Sequence, residues 1–260
     1  MNNLDLSLES LCKLLDELKL KSFVNLMQSE LPELKSTEQN VLLNYLHRWV
    51  LAETTERQAA LIQSRIRNAR FRNLQTIDAF DFSYNKSTQA LKQQYLKLLQ
   101  RVSKEHLPSA IFAGSAGLGK THLARSLGYA ACQKSLSTLF ITAAQMVNKL
   151  AQAQSTLTLE IELGKYRKPQ VLIIDELGYV QMDPQASNLF FQVISSRHDV
   201  RLGTIATTNL PFGKWNQIFA NDAIAHAIVD RLVADAEVFY LEGTSYREHQ
   251  RQQKNHSKKD

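Results

Sequence analysis

Gly114-Ser115-Ala116-Gly117-Leu118-Gly119-Lys120-Thr121 follows the apolar run Ala110-Ile111-Phe112-Ala113 and opens a stretch where Leu123, Leu127 and Ala131 recur at helical spacing. Strand, glycine-rich loop and helix are the context that a G-x-x-x-x-G-K-[ST] phosphate loop requires. The glycines permit a sharp turn that points successive N–H groups at one anion. The helix behind them adds unpaired N–H groups and the positive end of its dipole. On this reading residues 114–121, with His122 one step into the helix, form a nucleotide-binding loop. Lys120 brings a mobile charge to the β- and γ-phosphates, and the Thr121 hydroxyl is a natural Mg²⁺ ligand. ATP and Mg²⁺ are the expected cofactors.

Downstream, Val171-Leu172-Ile173-Ile174 is continuously apolar, as a strand buried on both faces should be, and it ends in Asp175-Glu176. Two acids at the carboxyl end of such a strand stand at the mouth of the sheet, where ligands bind. Asp175 is expected to hold Mg²⁺, mainly through water, and Glu176 to polarise the water that attacks the γ-phosphate. A later strand at 202–208 runs into Asn209, placed to hydrogen-bond the γ-phosphate or that water, although Asn before Leu-Pro is also an ordinary turn former. Arg231, in Asp230-Arg231 on a late apolar helix, is a candidate for completing a neighbouring subunit's site. Arg197, Arg201 and Arg247 compete for that role, and a plain surface position is the alternative.

The pattern around these motifs is α/β. Strands are expected at 109–113, 137–141, 171–174, 202–208 and 238–241, with helices at 143–154, 158–166 and 184–199, giving a parallel sheet flanked by helices. Residues 1–73 read as an all-α N-terminal domain. Leu4, Leu8, Leu11, Leu15 and Leu18 form one apolar seam, and a second helix spans Lys21 to Glu30 before Pro32. Ser36 with Gln39 offers a capping box for a long helix to about Phe71. Residues 74–108 read as a linker and connecting helix, with Phe80 and Phe82 as structural anchors. The ATPase domain is expected at 109–250, followed by a disordered basic tail at 251–260.

The chain carries 31 Lys+Arg against 25 Asp+Glu, a net charge of +6, which favours a polyanionic partner. Arg57, Arg65, Arg67, Arg70 and Arg72 occur with no acid between them; Ile62, Ile66 and Ala69 share one helical face, and Arg57, Arg65, Arg67 and Arg72 lie off it. These arginines are the candidate DNA-backbone readers, with a solvated charged face as the alternative. Cys12 and Cys132 are far apart and outside any C-x-x-C, so neither a disulfide nor a zinc site is expected. Asp5 and Glu9 stand where a signal peptide carries lysines, and no apolar run approaches a bilayer span; a cytoplasmic protein without membrane contact is expected.

Taken in order, Gly-Leu-Gly-Lys-Thr-His-Leu-Ala, Leu-Ile-Ile-Asp-Glu-Leu-Gly-Tyr, Thr-Thr-Asn-Leu-Pro-Phe with Trp215, Asp-Arg-Leu and Gly-Thr-Ser-Tyr-Arg resemble the IstB/DnaC group of AAA+ ATPases, more closely its IstB branch. Asn68-Ala69-Arg70-Phe71 to Phe80-Asp81-Phe82 shares that resemblance, which covers roughly residues 15 to 250. It implies a AAA+ core with Lys120 and Thr121 on the phosphates, Asp175 and Glu176 as the Mg²⁺ and water-activating acids, Asn209 as first sensor and Arg231 as the trans-acting finger. It also implies ATP-dependent homo-oligomers that bind duplex DNA with little sequence preference and recruit an IstA-like transposase. The second reading is a DnaC-like loader of a replicative helicase. One departure is expected: fewer than thirty residues follow Arg231, too few for the usual helical lid, which puts a second-sensor role for Arg247 in doubt.

Overall fold

The computed structural model describes residues 7–246; Leu4, Arg247 and the expected tail lie outside them. The chain divides into two compact units, Met1–Gln63 and Ser64–Asp260.

In the first unit, α1 (Leu8–Glu17) starts at Ser7, whose side chain accepts from the Ser10 amide. Leu11, Leu15 and Leu18 are buried against Val24 and Met27 of α2 (Lys21–Glu30) and Val50 of α3 (Ser36–Asn68). The α3 start differs from the expected Ser36–Gln39 box. Glu38 accepts from the Lys35 amide at 3.2 Å, and the Gln39 side chain donates to the Leu34 carbonyl at 2.8 Å. The helix begins one residue early, which makes Glu38 the acid three places in that reaches back.

Residues 64–73, expected to close the helical domain, pack on the larger unit. Arg65 Nε donates to the Ser135 carbonyl at 3.1 Å, and the Phe140 amide donates to the Ala69 carbonyl at 2.8 Å. Phe71 sits 6.2 Å from the Phe140 ring. The helix ends at Asn68, short of the expected Phe71, and helical periodicity carries no record of this docking.

The larger unit holds a five-stranded parallel sheet in the order β2-β3-β4-β1-β5: β1 (Ala110–Gly114), β2 (Thr138–Thr142), β3 (Val171–Leu177), β4 (Gly203–Thr208) and β5 (Glu237–Leu241). Alternate strand residues feed two cores. Phe112, Phe140, Val171 and Ile173 pack with α4 (Lys86–Arg101) and α5 (Lys120–Gln133). Ile111, Leu139, Leu172 and Ile174 pack under α6 (Ala143–Ser155), α7 (Leu159–Arg167), α8 (Pro184–Asp199) and α9 (Asp222–Val233). Strands buried on both faces explain the continuous apolar runs.

This order makes β3, β4 and β1 adjacent. The loop after β1, the acids ending β3 and Asn209 after β4 therefore come out side by side at one end of the sheet. The opposite end is tied by Arg197, fully buried, which donates to the Thr204 hydroxyl and to the carbonyls of Tyr166, Pro169, Gln170 and Gly203. Among the described residues β5 is the last element.

Candidate nucleotide site

A cavity of about 410 Å³ opens at the carboxyl ends of β1, β3 and β4 and is lined by residues 116–122, Asp175, Glu176 and Asn209. Two glycines shape the loop that borders it. Gly114 (φ 144°) lies so close to the Leu241 carbonyl that a side chain could not fit. Gly119 (φ 88°) caps α5 in the left-handed region, and a Cβ there would stand 2.5 Å from the Phe80 ring. Lys120 Nζ donates to the carbonyls of Gly114 at 2.7 Å and Ser115 at 2.6 Å, so its ammonium lies against its own loop.

The connector supplies a wall. Phe82 is buried in the core, as an anchor should be, but Phe80 lines the cavity. Phe80 stands edge-on to His122 at 5.2 Å, and His122 Nε2 donates to the Thr76 carbonyl at 2.8 Å. Tyr84 donates to the Thr244 carbonyl at 2.9 Å and packs edge-on against Tyr246 at 4.8 Å; the Tyr246 amide donates to the Gly117 carbonyl at 3.1 Å. The segment after β5 is thus strapped across the loop.

Asp175 is buried, and its Oδ1 accepts from Thr121 Oγ1 at 2.8 Å and from Thr207 Oγ1 at 2.6 Å. Thr207 Oγ1 also accepts the Glu176 amide at 2.9 Å. Glu176 has φ 61° and is exposed, and the β3–β4 register shifts between Ile174 and Leu177. An extra residue in β3 breaks the alternation there and aims the Glu176 carboxylate outward. A left-handed non-glycine residue costs about 1–2 kcal/mol, so the surrounding sheet must hold it there. Asn209 Oδ1 is buried without a hydrogen-bond partner among the described residues and borders the same cavity.

Arg231 stands elsewhere. It lines a second cavity of about 230 Å³ with His106, His198, Arg201 and Asp235, and no residue borders both cavities. Its Nε donates to Ser195 Oγ at 3.2 Å, its Nη1 to the Ala227 carbonyl at 3.1 Å, and its guanidinium lies 4.8 Å from the Phe191 ring centre. The five arginines also separate. Arg57 pairs with Glu53 at 2.6 Å and Arg65 is held by Ser135, whereas Arg67, Arg70 and Arg72 are exposed.

Sequence reasoning missed Arg125, Thr207 as the bridge between the acids, and the aromatic wall of Phe80, Tyr84 and Tyr246. For Arg125 a signal existed, since it falls four residues after Thr121 on the same helix face.

The donor set fits a magnesium-bound nucleoside triphosphate. The loop is a glycine-built anion cradle, Asp175 and Thr121 are already joined, and the orphaned Asn209 oxygen can accept from a water beside the phosphates. Among the described residues no group of three or more His, Cys, Asp or Glu could hold a metal by itself; Mg²⁺ shared with phosphates needs only one or two protein ligands. Among the same residues no helix is long and apolar enough to cross a membrane.

A family model described as IstB-like ATP binding protein matches residues 13–254. A Geobacillus stearothermophilus protein named for ATP binding in insertion sequence IS5376 is 36% identical over 232 residues, 89% of this chain and 91% of that one. A Bacillus thuringiensis subsp. berliner counterpart from insertion sequence IS232 is 38% identical over 195 residues, 75% and 77% of the two chains. Among solved structures, the DnaC helicase loader superposes with a TM-score of 0.57 at 19% identity, covering 64% of this chain and 96% of that one. That likeness is one of fold.

Proposed function

The chain belongs to the IstB-like ATP-binding protein family, and on that premise we propose that it is a P-loop ATPase that assembles on duplex DNA and assists the transposase of an insertion sequence. The observation that carries this reading is the convergence of Lys120, Thr121, Asp175, Glu176 and Asn209 on one cavity.

The loop N–H groups and Lys120 bind the β- and γ-phosphates. Thr121 and Asp175 would hold Mg²⁺, which when bound neutralises charge on the phosphates. Glu176 takes the proton of the attacking water, and Asn209 orients that water or the γ-phosphate. Arg231 serves the site of an adjacent subunit, a role its separate cavity supports. Exposed Arg67, Arg70 and Arg72 neutralise DNA phosphates without reading bases. The insertion-sequence names of the relatives supply the transposase as partner.

The test is ATP hydrolysis and ATP-dependent sedimentation of the purified protein with and without duplex DNA. Hydrolysis and co-sedimentation with DNA are expected. A protein that turns over ATP but neither binds duplex DNA nor self-associates would keep the ATPase and lose the DNA role.

A further inference from the structure

Arg125 stands in the nucleotide cavity and has no part in the scheme above. It lies one helical turn after Thr121 on the same face of α5. Its seat is loose. The guanidinium carbon lies 4.6 Å from the Phe140 ring centre and Nη1 reaches Gln75 Oε1 at 3.4 Å, while Nε is buried with no hydrogen-bond partner among the described residues.

The same Phe140 seats the arginine segment: its amide holds Ala69 and its ring packs near Phe71. Burial lowers the Arg125 pKa; Asp175 and Glu176 oppose that lowering, and the charge of Arg72 adds to it. The guanidinium is therefore drawn by Asp175 and Glu176, which line the cavity, and repelled by Arg72, three residues before the Gln75 that it touches.

We propose that Arg125 is a positioning residue that couples the arginine segment to the nucleotide cavity: a DNA phosphate on Arg72 draws the guanidinium outward and leaves Asp175 and Glu176 to a magnesium-bound nucleotide. This rests on the DNA reading of residues 67–72. Without DNA, Arg125 and Mg²⁺ compete for the field of the same acids. With DNA the competition is relieved, and by linkage the nucleotide favours DNA binding in return.

The experiment titrates Mg²⁺ against binding of a fluorescent, non-hydrolysable ATP analogue, with and without a short mixed-sequence duplex. For the wild-type chain DNA is expected to lower the Mg²⁺ needed for half-saturation by about five-fold. In Arg125→Gln the requirement is expected to be low already and insensitive to DNA, and Arg125→Lys should restore part of the wild-type shift. Misfolding or impaired assembly would raise the requirement, so the sign separates those causes from the proposal. An unchanged or raised requirement in Arg125→Gln, or a DNA shift that survives there, overturns the proposal. A wild-type chain that binds DNA without any shift also overturns it and leaves the DNA reading standing. A wild-type chain that binds no DNA removes both.

Discussion

The Thr207 hydroxyl donates to Asp175 Oδ1 at 2.6 Å and accepts the Glu176 amide at 2.9 Å, so one β4 side chain sets both acids of β3. Replacing Thr207 with Val keeps the shape and deletes both bonds. Leaving a buried carboxylate and an amide short of partners should cost about 1–3 kcal/mol. Urea denaturation should show that loss, and hydrolysis should fall about ten-fold as Glu176 loses its orientation. Stability and turnover both equal to wild type would show that the bridge does not matter.

Lys120→Ala should abolish ATP binding if, as proposed, the ammonium contacts ground-state phosphates. Glu176→Gln should bind ATP with near wild-type affinity and hydrolyse it about a hundred-fold or more slowly, as expected for loss of a general base. Equilibrium binding and single-turnover hydrolysis separate the two. Normal turnover by Glu176→Gln would remove that residue from its role.

The separation of Arg231 from the nucleotide cavity predicts complementation between subunits. Arg231→Ala should bind ATP and hydrolyse it poorly, by about a thousand-fold if it acts as an arginine finger. Mixed with Lys120→Ala, which keeps the arginine but lacks a working site, it should regain part of its activity. An inactive mixture in which mixed oligomers demonstrably form would sink the trans assignment, and Arg201 would be tested next.

The five arginines should divide in a salt titration. Each of Arg67, Arg70 and Arg72, replaced with Ala, should lower the slope of log affinity against log salt by about one. Arg57→Ala, which breaks an exposed pair with Glu53, should leave the slope unchanged. Arg65→Ala, which deletes the hydrogen bond to the Ser135 carbonyl, should show mainly as a lowered melting temperature. Equal slopes for all variants would move the DNA contact elsewhere.

Arg197 predicts a purely structural loss. Burial pulls its guanidinium down to about 9, and it stays a cation at neutral pH, held by four carbonyls and a hydroxyl. Arg197→Met should cost about 3 kcal/mol or more by stranding those acceptors. Arg197→Lys should recover little, since three donors on a point charge cannot span that fan. Chemical denaturation is the measurement, and a full rescue by Lys would show that charge rather than geometry is needed there.

What was legible in the sequence follows the locality of the physics. A phosphate loop is written in contiguous residues, since the strand, the glycines and the helix end all act within a few positions of Lys120. The acid pair is nearly as local, because the apolar run of β3 announces the strand that ends in it. Thr207 and Arg125 matter through the β3–β4 pairing and the Phe140 seat, which connect residues far apart in the chain. The left-handed backbone at Glu176 was equally hidden, for two acids after an apolar run give no hint of an extra residue in the strand. The arginines read as one charged surface because helical periodicity reports an angle around an axis. That angle does place Glu53 one turn before Arg57, but it does not report that Ser135, far along the chain, waits at the end of Arg65.

The pairing of Ala69 with Phe140 has a consequence for handling the protein. β2 is an outer strand of the sheet, and an uncovered outer strand offers its amides and carbonyls to any passing chain. Here the short segment through Ala69 and Phe71 shields that border. A truncated ATPase unit begun after residue 73, at the boundary the helical pattern suggests, would expose it. Such a fragment would precipitate at concentrations where one begun at Ser64 stays dispersed, and light scattering on the two fragments would reveal the difference.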